Sequence, residues 1–506
     1  MRESHLHLTT SKLEKTALLL CISLSIVAFL FPELLTTNLQ PVINDLLGLL
    51  GAPFFILVNL LLFAVIAIAI SPIGQRKMGG EHAHIEFSLF GWLSMLFAAG
   101  MGSGLIFWGV AEPALHSVNS VLKQSLYANT QTSGLALTLV NWGAHAWALY
   151  AVFGLVLGGL STQSGKAGDI TAPVINATKG VINRGWQLKL SFSIKLIAIF
   201  AIFFGVVGTI ANSTLLLRKG LELKLGVESV LLSGFIIISL IVILYTVSAK
   251  LGLKKGVQAL SKFNVFLAFG LIIWLLFYVP IKPIIDIAKG GTWDYIQLII
   301  TGTWQLESVL KNPEWANGWT YNYYFWWLAW GPFVGVFLAK ISQGRPVWQY
   351  IVGVVFVPTF VTIIWFSVFS GSAIAWGQTH NAGILAAIKA DYTQGLFVFF
   401  AQLGWQGSIL IWSSLLLLLI FVATSADSAI LVIKELSSSN KNMHTNNSAS
   451  LYGWSFALGL CAFVLLVQNN EPLNRSVAII GALPFLVIFI LQLVGFIKEF
   501  VSEFKH

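Results

Sequence analysis

Charged residues are scarce in this chain. Only 10% of its 506 residues are Asp, Glu, Lys or Arg, whereas 57% are hydrophobic. A soluble domain carries about 25% charged residues, so the composition excludes a water-soluble globular protein of this length. It predicts instead a polytopic membrane protein, because about twelve spans of ~20 residues would use roughly 240 residues and leave short loops.

Cysteine is also rare. Cys21 and Cys461 are the two cysteines of the chain, and both lie within apolar runs. They argue against a disulfide framework, a zinc site or an iron–sulfur site. The sequence has no HExxH, P-loop or CxxC pattern, so metal-dependent hydrolysis and coupling to ATP have no support. The net charge of +9 comes from basic residues in loops between apolar runs, which favours a membrane protein over a nucleic-acid-binding one.

Long apolar runs dominate what remains. Each is continuously apolar, whereas the strands of a membrane β-barrel would alternate in ~10-residue units, so the predicted fold class is all-α. Lys and Arg are more frequent in the loops that share a side with both termini, which predicts cytoplasmic termini. The connection 281–319 is expected to contain an interfacial amphipathic helix at 294–309. The twelve predicted spans are 16–36, 49–70, 86–110, 134–160, 191–215, 228–249, 261–280, 320–340, 347–376, 396–433, 451–468 and 476–497.

The third run contains three glycines at alternate positions, Gly100, Gly102 and Gly104. Each weakens a helix by about 1 kcal/mol. A broken helix is tolerated in a membrane where its backbone is buried or lines a cavity, and secondary transporters use such breaks to bind ions and substrates. Close helix packing by small residues is the alternative interpretation.

Two runs concentrate aromatic residues. Ring faces attract a quaternary ammonium group, and three or four contacts of about 0.5–2 kcal/mol each would bind it at micromolar strength. The alternative is an aromatic belt at the membrane surface. The residues are Trp142, Trp147 and Tyr150 in the fourth run and Trp326, Trp327 and Trp330 in the eighth.

The tenth run is interrupted by polar residues, among them Thr424, Ser425 and Asp427. The two hydroxyls, together with loosened carbonyls of Ala98 and Met101, are hard oxygen ligands suited to Na⁺. Asp427 could provide a counter-charge, since an ionisable group inside a membrane is a functional hypothesis by default. Hydrogen bonding between helices is the alternative.

Two other ionisable residues lie in or at the end of apolar runs and are interpreted as structural. His145 is expected to be a packing residue rather than a proton relay. Glu112 is expected to cap or orient the end of the third run.

Together these segments resemble the betaine/choline/carnitine transporter family, and the motifs are most similar to those of its sodium-coupled glycine betaine members. The resemblance implies twelve transmembrane helices in a LeuT-like fold with two inverted five-helix repeats, and commonly a homotrimer. The matching stretches are 97–113, 142–150, 254–264, 319–345 and 423–428. The implied organisation is a short cytoplasmic tail at 1–15, two helices outside the repeat at 16–85, repeats at 86–280 and 320–497, and a cytoplasmic tail at 498–506.

The resemblance also implies the residues that bind substrate and ions. The aromatic box would comprise Trp142, Trp147, Tyr150, Trp326, Trp327 and Trp330, and Gly100, Met101, Gly102, Ser103 and Gly104 would face the carboxylate end or backbone of the substrate. A sodium site would use Ala98, Met101, Phe421, Thr424 and Ser425. A second sodium site would involve Thr209, with Phe333 between that site and the box.

Two single residues bear on coupling and specificity. Sodium-independent members of the family place an arginine where this chain has Gln258, so the neutral side chain implies Na⁺ symport. Choline-type members often have Asp at the position of Gly104, so its absence favours a zwitterion.

The expected function is import of glycine betaine, or a similar trimethylammonium or dimethylsulfonium zwitterion, with Na⁺ across a bacterial inner membrane by alternating access, as an osmolyte or nutrient. No cofactor other than the coupling ion and no nucleic-acid partner is expected. The alternatives are transport of choline, carnitine, ectoine or an amino acid, a membrane enzyme acting on lipid head groups, and a channel. The enzyme lacks the clustered His, Asp and Glu residues that it would need.

Overall fold

A computed structural model describes residues 2–118, 130–158, 168–178, 180–301, 313–380, 383–437, 448–469 and 471–503. Within these ranges the chain is helical and contains no β-strand. The helices are α1 Arg2–Leu30, α2 Gln40–Ile70, α3 Leu89–Met101, α4 Gly104–Trp108, α5 Ala111–Ser117, α6 Thr130–Trp142, α7 Ala144–Gly158, α8 Ala172–Ala177, α9 Arg184–Leu225, α10 Val230–Gly252, α11 Gln258–Leu276, α12 Ile281–Thr301, α13 Pro313–Gly318, α14 Thr320–Ile341, α15 Val347–Ile351, α16 Val357–His380, α17 Ile384–Ala390, α18 Gly395–Ala401, α19 Gly404–Ser437, α20 Ser448–Val467 and α21 Glu471–Glu503.

Ten helical stretches of the described ranges are long and apolar enough to cross a membrane. The twelve predicted runs all coincide with helix, and two features account for the smaller number. Helix α3 ends at Met101 after 13 residues, because the glycine-rich segment interrupts it. Helices α10 and α11 are joined by the π-helical segment Leu253–Val257 and form one stretch. The all-α membrane fold is confirmed, while twelve spans and the inverted repeat remain predictions.

The helices divide into an inner and an outer group. The most apolar window of Thr132–Gly158 is completely buried, and 89% of that of Gly404–Ser437 is buried. The corresponding share is 33% for Val230–Leu276 and 22% for Lys12–Leu30. Helices α6, α7, α14 and α19 therefore belong to the interior, and the apolar side chains exposed on the outer helices are suited to lipid.

The interior helices pack around the interrupted third run. Helix α3 begins after Ser88, whose side chain accepts a hydrogen bond from the backbone N–H of Gly91. Its other end is broken at Gly102, where φ is +56° and ψ is −153°, and the chain resumes helical geometry at α4. A residue with a side chain is strained at this φ. Helix α3 packs against α11, α14 and α19, and α14 packs against α7, so the break faces the centre of the bundle.

The amphipathic helix of the outer connection begins earlier than expected. The prediction was 294–309, whereas α12 spans Ile281–Thr301, and residues 302–312, with Trp304, lie outside the described ranges. Pro283 is compatible with this earlier start, because the first turn of a helix tolerates proline. Tyr295 is buried in the helix and Trp293 is exposed, so the amphipathic character is as predicted.

Both terminal segments contain more helix than predicted. Helix α1 begins at Arg2, within the expected tail 1–15, and α21 ends at Glu503, within the expected tail 498–506.

Candidate functional site

A cavity lies beside the break between α3 and α4 and has an empty volume of about 520 Å³. This volume is within the range of small-molecule sites, about 300–1,000 Å³. None of the residues that line it is acidic or basic, and most are aromatic. The lining residues are Met101, Ser103, Gly104, Phe107, Trp108, Trp142, Thr209, Asn212, Tyr323, Trp326, Trp327 and Trp330.

The three glycines of the broken helix each receive a tryptophan ring. A Cβ atom placed on any of them would come within 2.7 Å of that ring, so the ring occupies the space that a side chain would fill. The two interpretations of these glycines therefore hold together: they are close-packing positions, and the groups that pack there are members of the predicted box. The pairs are Gly100 with Trp147 (2.7 Å), Gly102 with Trp330 (2.6 Å) and Gly104 with Trp142 (2.1 Å).

The predicted box residues form two layers. The cavity-lining layer contains Trp142, Trp326, Trp327 and Trp330 from the box and Met101, Ser103 and Gly104 from the glycine segment. The layer behind it contains Trp147, Tyr150, Gly100 and Gly102, which do not line the cavity. Trp147 and Tyr150 are fully buried there because the ring of Trp147 fills the space at Gly100.

The two layers touch through edge-on aromatic contacts centred on Trp327. Its ring centroid lies 5.2 Å from that of Trp142, at an interplanar angle of 88°, and 5.5 Å from that of Tyr150, at 83°. Tyr150 is in turn 5.8 Å from Trp147. This edge-to-face geometry is the one that aromatic pairs prefer. The rings therefore hold one another in fixed orientations around the cavity.

Three buried donors of the predicted box have no hydrogen-bond partner among the described residues. They are the indole N–H groups of Trp147 and Trp330 and the phenol of Tyr150. Buried Trp and Tyr side chains usually find a partner for these groups. The arrangement therefore leaves donors for an acceptor such as a carboxylate.

Glu112 anchors the aromatic box from behind, a role that the sequence analysis missed. Its side chain is fully buried in α5. It accepts hydrogen bonds from the indole N–H of Trp142 (2.8 Å), the phenol of Tyr323 (2.6 Å) and the side-chain amide of Asn141 (2.9 Å). The Nε2 atom of His116 lies 3.4 Å away. The expectation that Glu112 orients one end of the third run therefore captures part of its role. An acid in an apolar run, which needs donors once buried, was the available signal.

Asn141 extends the same network to a second tryptophan. Its backbone carbonyl accepts a hydrogen bond from the indole N–H of Trp327 at 2.9 Å. Its side-chain oxygen accepts one from the hydroxyl of Thr320 at 3.1 Å. Helix α6 thus fixes Trp327 directly and Trp142 through Glu112.

The residues predicted for the first sodium site lie together between α3 and α19. The hydroxyl of Ser425 is 3.2 Å from the carbonyl oxygen of Ala98 and 3.2 Å from that of Phe421. The hydroxyl of Thr424 donates to the same Phe421 carbonyl at 2.9 Å. Met101, the last residue of α3, is buried directly before the break. Carbonyl and hydroxyl oxygens next to an interrupted helix are the ligand set that suits Na⁺ in transporters.

The residues predicted for a second sodium site both lie near Trp330. Thr209 lines the cavity, and its hydroxyl donates to the carbonyl of Gly205 at 2.9 Å. Gly205 packs against the ring of Trp330, where an added Cβ would be 3.1 Å from the ring. Phe333 is fully buried, and its ring centroid is 5.3 Å from that of Trp330. This second site remains a prediction.

Gln258 lies against the first turn of α3. A Cβ on Gly91 would be 2.3 Å from its side-chain nitrogen, and Gly91 is seven residues before Ala98. A longer side chain at position 258 would have to extend along α3 to reach the predicted sodium residues.

His145 has partners on two other helices. One ring nitrogen is 3.1 Å from the phenol oxygen of Tyr295, and the other is 3.0 Å from the side-chain oxygen of Asn59. These contacts tie α7 to α12 and α2, which agrees with the interpretation of His145 as a packing residue.

An all-helical membrane bundle with a broken helix and a central aromatic cavity defines the class: a multi-pass membrane transporter. Residues 13–505 match the family model described as betaine/carnitine/choline family transporter. The chain belongs to this family, whose members are transporters rather than enzymes.

Individual relatives are similar over most of the chain. The glycine betaine transporter OpuD of Bacillus subtilis is 30% identical over 457 residues, which cover 90% of this chain and 87% of the relative. A probable glycine betaine transporter of Desulfitobacterium hafniense is 27% identical over 505 residues, which cover 98% and 100%. The high-affinity choline transport protein of Escherichia coli K12 is 29% identical over 457 residues, which cover 90% and 66%.

Proposed function

We propose that this protein imports glycine betaine, or a close trimethylammonium or dimethylsulfonium zwitterion, together with Na⁺. The observation that carries the proposal is the double role of the broken helix. Its glycines seat the tryptophans of the aromatic box, and the Ala98 carbonyl, within the same segment, contacts Ser425. Substrate and ion would therefore act on one short stretch of backbone.

The cavity favours a zwitterion over a cation. A quaternary ammonium group is attracted by the ring faces of its wall. No carboxylate lines the cavity among the described residues, and Glu112 already accepts three hydrogen bonds. The unpartnered donors of Trp147, Tyr150 and Trp330 suit a substrate carboxylate. Choline lacks that group, so choline, with carnitine and ectoine, is the alternative cargo rather than the first.

Coupling follows from differential affinity. Na⁺ would engage the Ala98 carbonyl and the Ser425 hydroxyl, which now contact each other, and would order the break at Gly102. A helix ordered in this way holds Trp330 in place, so each ligand raises the affinity for the other. We further propose alternating access in a bacterial inner membrane, cytoplasmic termini and a homotrimer, on the basis of the loop charges and the family.

Uptake of radiolabelled glycine betaine into proteoliposomes, with and without an inward Na⁺ gradient, tests the proposal. Wild type is expected to show saturable, Na⁺-dependent uptake. Trp330→Leu removes one ring and one buried donor and is expected to reduce apparent affinity about tenfold or more. Trp186→Leu is the matched control, because Trp186 is exposed at the start of α9.

Two outcomes would contradict the proposal separately. Uptake of choline without uptake of glycine betaine would refute the assigned substrate. Saturable glycine betaine uptake that is indifferent to Na⁺ would refute the coupling.

A further inference from the structure

A second buried polar cluster lies next to the proposed sodium residues, between α10, α11 and α19. Its centre is Asp427, which is fully buried three residues after Thr424. The hydroxyl of Ser248 donates to one of its carboxylate oxygens, and that of Ser428 donates to the other at 3.0 Å. Over the described part of the chain, no Lys, Arg or His forms an ion pair with Asp427.

A buried carboxylate in this state is incompletely satisfied. An ionised carboxylate offers about four acceptor positions, and two neutral hydroxyls do not cancel its charge. Removing such a charge from water without a cation is costly, most of all inside a membrane. The environment of Asp427 therefore favours a cation.

Helix α11 contributes two more polar side chains, Ser261 and Asn264, both fully buried and one turn apart. The side-chain nitrogen of Asn264 donates to the hydroxyl of Thr424 at 3.2 Å. The Asn264 amide oxygen and the Ser261 hydroxyl have no hydrogen-bond partner among the described residues. Because residues three apart share a helix face, both point towards α19.

The order of contacts places these oxygens in one column. Asp427 contacts Ser248, and Ser248 lies against the segment that joins α10 to α11, since a Cβ on Gly256 would be 2.0 Å from its carbonyl oxygen. The direction from Thr424 to Asp427 thus runs towards this joining segment. Ser261 lies on the same side of Asn264. The column begins at the proposed sodium residues and continues to the Asp427 carboxylate.

The chemistry of the column fits Na⁺ better than a proton. Its groups are a carboxylate, an amide oxygen and hydroxyls, which are hard oxygen ligands and match the coupling ion proposed for the adjacent site. A proton on Asp427 would supply a single donor, whereas both the Ser261 and the Asn264 oxygens lack a partner.

We propose that Asp427, Ser248, Ser261 and Asn264 form a second cation site, through which Na⁺ passes between the Ala98–Ser425 site and the cytoplasmic side. Asn264 connects the two sites, because its nitrogen holds Thr424 while its oxygen faces the column. This inference rests on the proposed Na⁺ coupling. It assigns Asp427 to ion release rather than to substrate binding.

The test is Asp427→Asn in proteoliposomes and in detergent. Na⁺-promoted binding of glycine betaine, followed by tryptophan fluorescence, is expected to stay within about twofold of wild type, because the Ala98–Ser425 site is intact. The maximal uptake rate is expected to fall about tenfold, and inhibition by Na⁺ inside the liposomes is expected to need about tenfold more Na⁺, because a charged ligand is lost.

Two further variants keep the test decisive if Asp427→Asn fails to fold. Ser261→Ala deletes a hydroxyl without a partner and is expected to shift inhibition by internal Na⁺ in the same direction by a smaller factor. Ser372→Ala is the matched control, because Ser372 is equally buried with an unpartnered hydroxyl on α16. It is expected to behave as wild type.

The outcomes separate this inference from the proposed function. Wild-type uptake without Na⁺ dependence would overturn both, before any variant is examined. With Na⁺ dependence present, an unchanged response of Asp427→Asn and Ser261→Ala to internal Na⁺ would overturn the second site alone. Loss of Na⁺-promoted binding in a folded Asp427→Asn protein would assign Asp427 to the first site. A changed response to a pH gradient instead of to Na⁺ would identify the occupant as a proton.

Discussion

The sharpest mutational prediction concerns Gly104, where the chain approaches Trp142 most closely. In Gly104→Ala the new methyl group would be 2.1 Å from the ring, whereas ordinary contact begins at 3.4 Å, so the ring must move by about 1.3 Å. The ring is not free to do so. Its N–H is bound to Glu112 at 2.8 Å, and its edge contacts Trp327 and Tyr323 at centroid distances of 5.2 and 5.1 Å.

Two terms set the size of the effect. Overpacking a dense interior costs about 1–3 kcal/mol, and breaking the hydrogen bond to the Glu112 carboxylate costs about 1.5–3 kcal/mol. A displaced Trp142 also removes one ring from the box. At about 0.5–2 kcal/mol per ring contact, KM for glycine betaine would rise about 2- to 30-fold.

The assay is the KM of uptake at saturating Na⁺, together with thermal unfolding of the purified protein. Gly270→Ala is the matched control, because Gly270 is also helical and has no atom within 4 Å of an added Cβ. The double variant Gly104→Ala with Trp142→Phe should be less destabilised than the sum of the single changes, since a smaller ring relieves the clash. Unchanged KM and stability in Gly104→Ala would refute the packing of Trp142 on this glycine.

Three other changes have defined outcomes. Glu112→Gln places an amide where three donors converge and should raise KM about tenfold, measured by uptake with the amount of folded protein as control; an unchanged KM would show that Glu112 does not position the rings. Gln258→Arg should make uptake less dependent on Na⁺, because a guanidinium would replace the ion; full Na⁺ dependence would contradict this. Burial opposes ionisation of Asp391, but hydrogen bonds and a nearby lysine outweigh it and hold the pKa of Asp391 below its usual value. The resulting stability is present at neutral pH and is lost as pH falls below about 4, so Asp391→Asn should lower Tm at pH 7 and flatten its decrease in acid. Equal pH dependence of Tm in both proteins would show that Asp391 does not stabilise the turn before Tyr392, whose ring stacks on Trp108 at 5.1 Å.

The features that could be predicted from the sequence have local signals. Apolar runs mark helices because the bilayer demands about 20 apolar residues, and alternate glycines mark the break in α3 because each weakens the helix independently. Thr424 and Ser425 stood out as hydroxyls in an apolar run. The clustering of the box with these features followed from the family resemblance rather than from spacing.

The features that escaped prediction depend on distant partners. Glu112 binds Tyr323, 211 positions away, and nothing near either residue shows that pairing. Asn264 is an ordinary helix residue until its contact with Thr424, 160 positions away, is known. The early start of α12 is of another kind, because the polar residues at its beginning concealed a helix that its packing against α6 and α16 stabilises.

The position of the helix break explains why ion and substrate should act on each other. Ala98 and Gly102 are four residues apart, so the carbonyl that contacts Ser425 and the glycine that seats Trp330 belong to the same turn of chain. Gly102 has the positive φ of the break, and no neighbouring helical hydrogen bond fixes it independently. An ion that replaces the Ser425 contact therefore moves or stiffens the seat of Trp330, and a substrate that stiffens Trp330 orders the Ala98 carbonyl. Linkage requires the two effects to be equal, so the factor by which Na⁺ raises the affinity for substrate must equal the factor by which substrate raises the affinity for Na⁺.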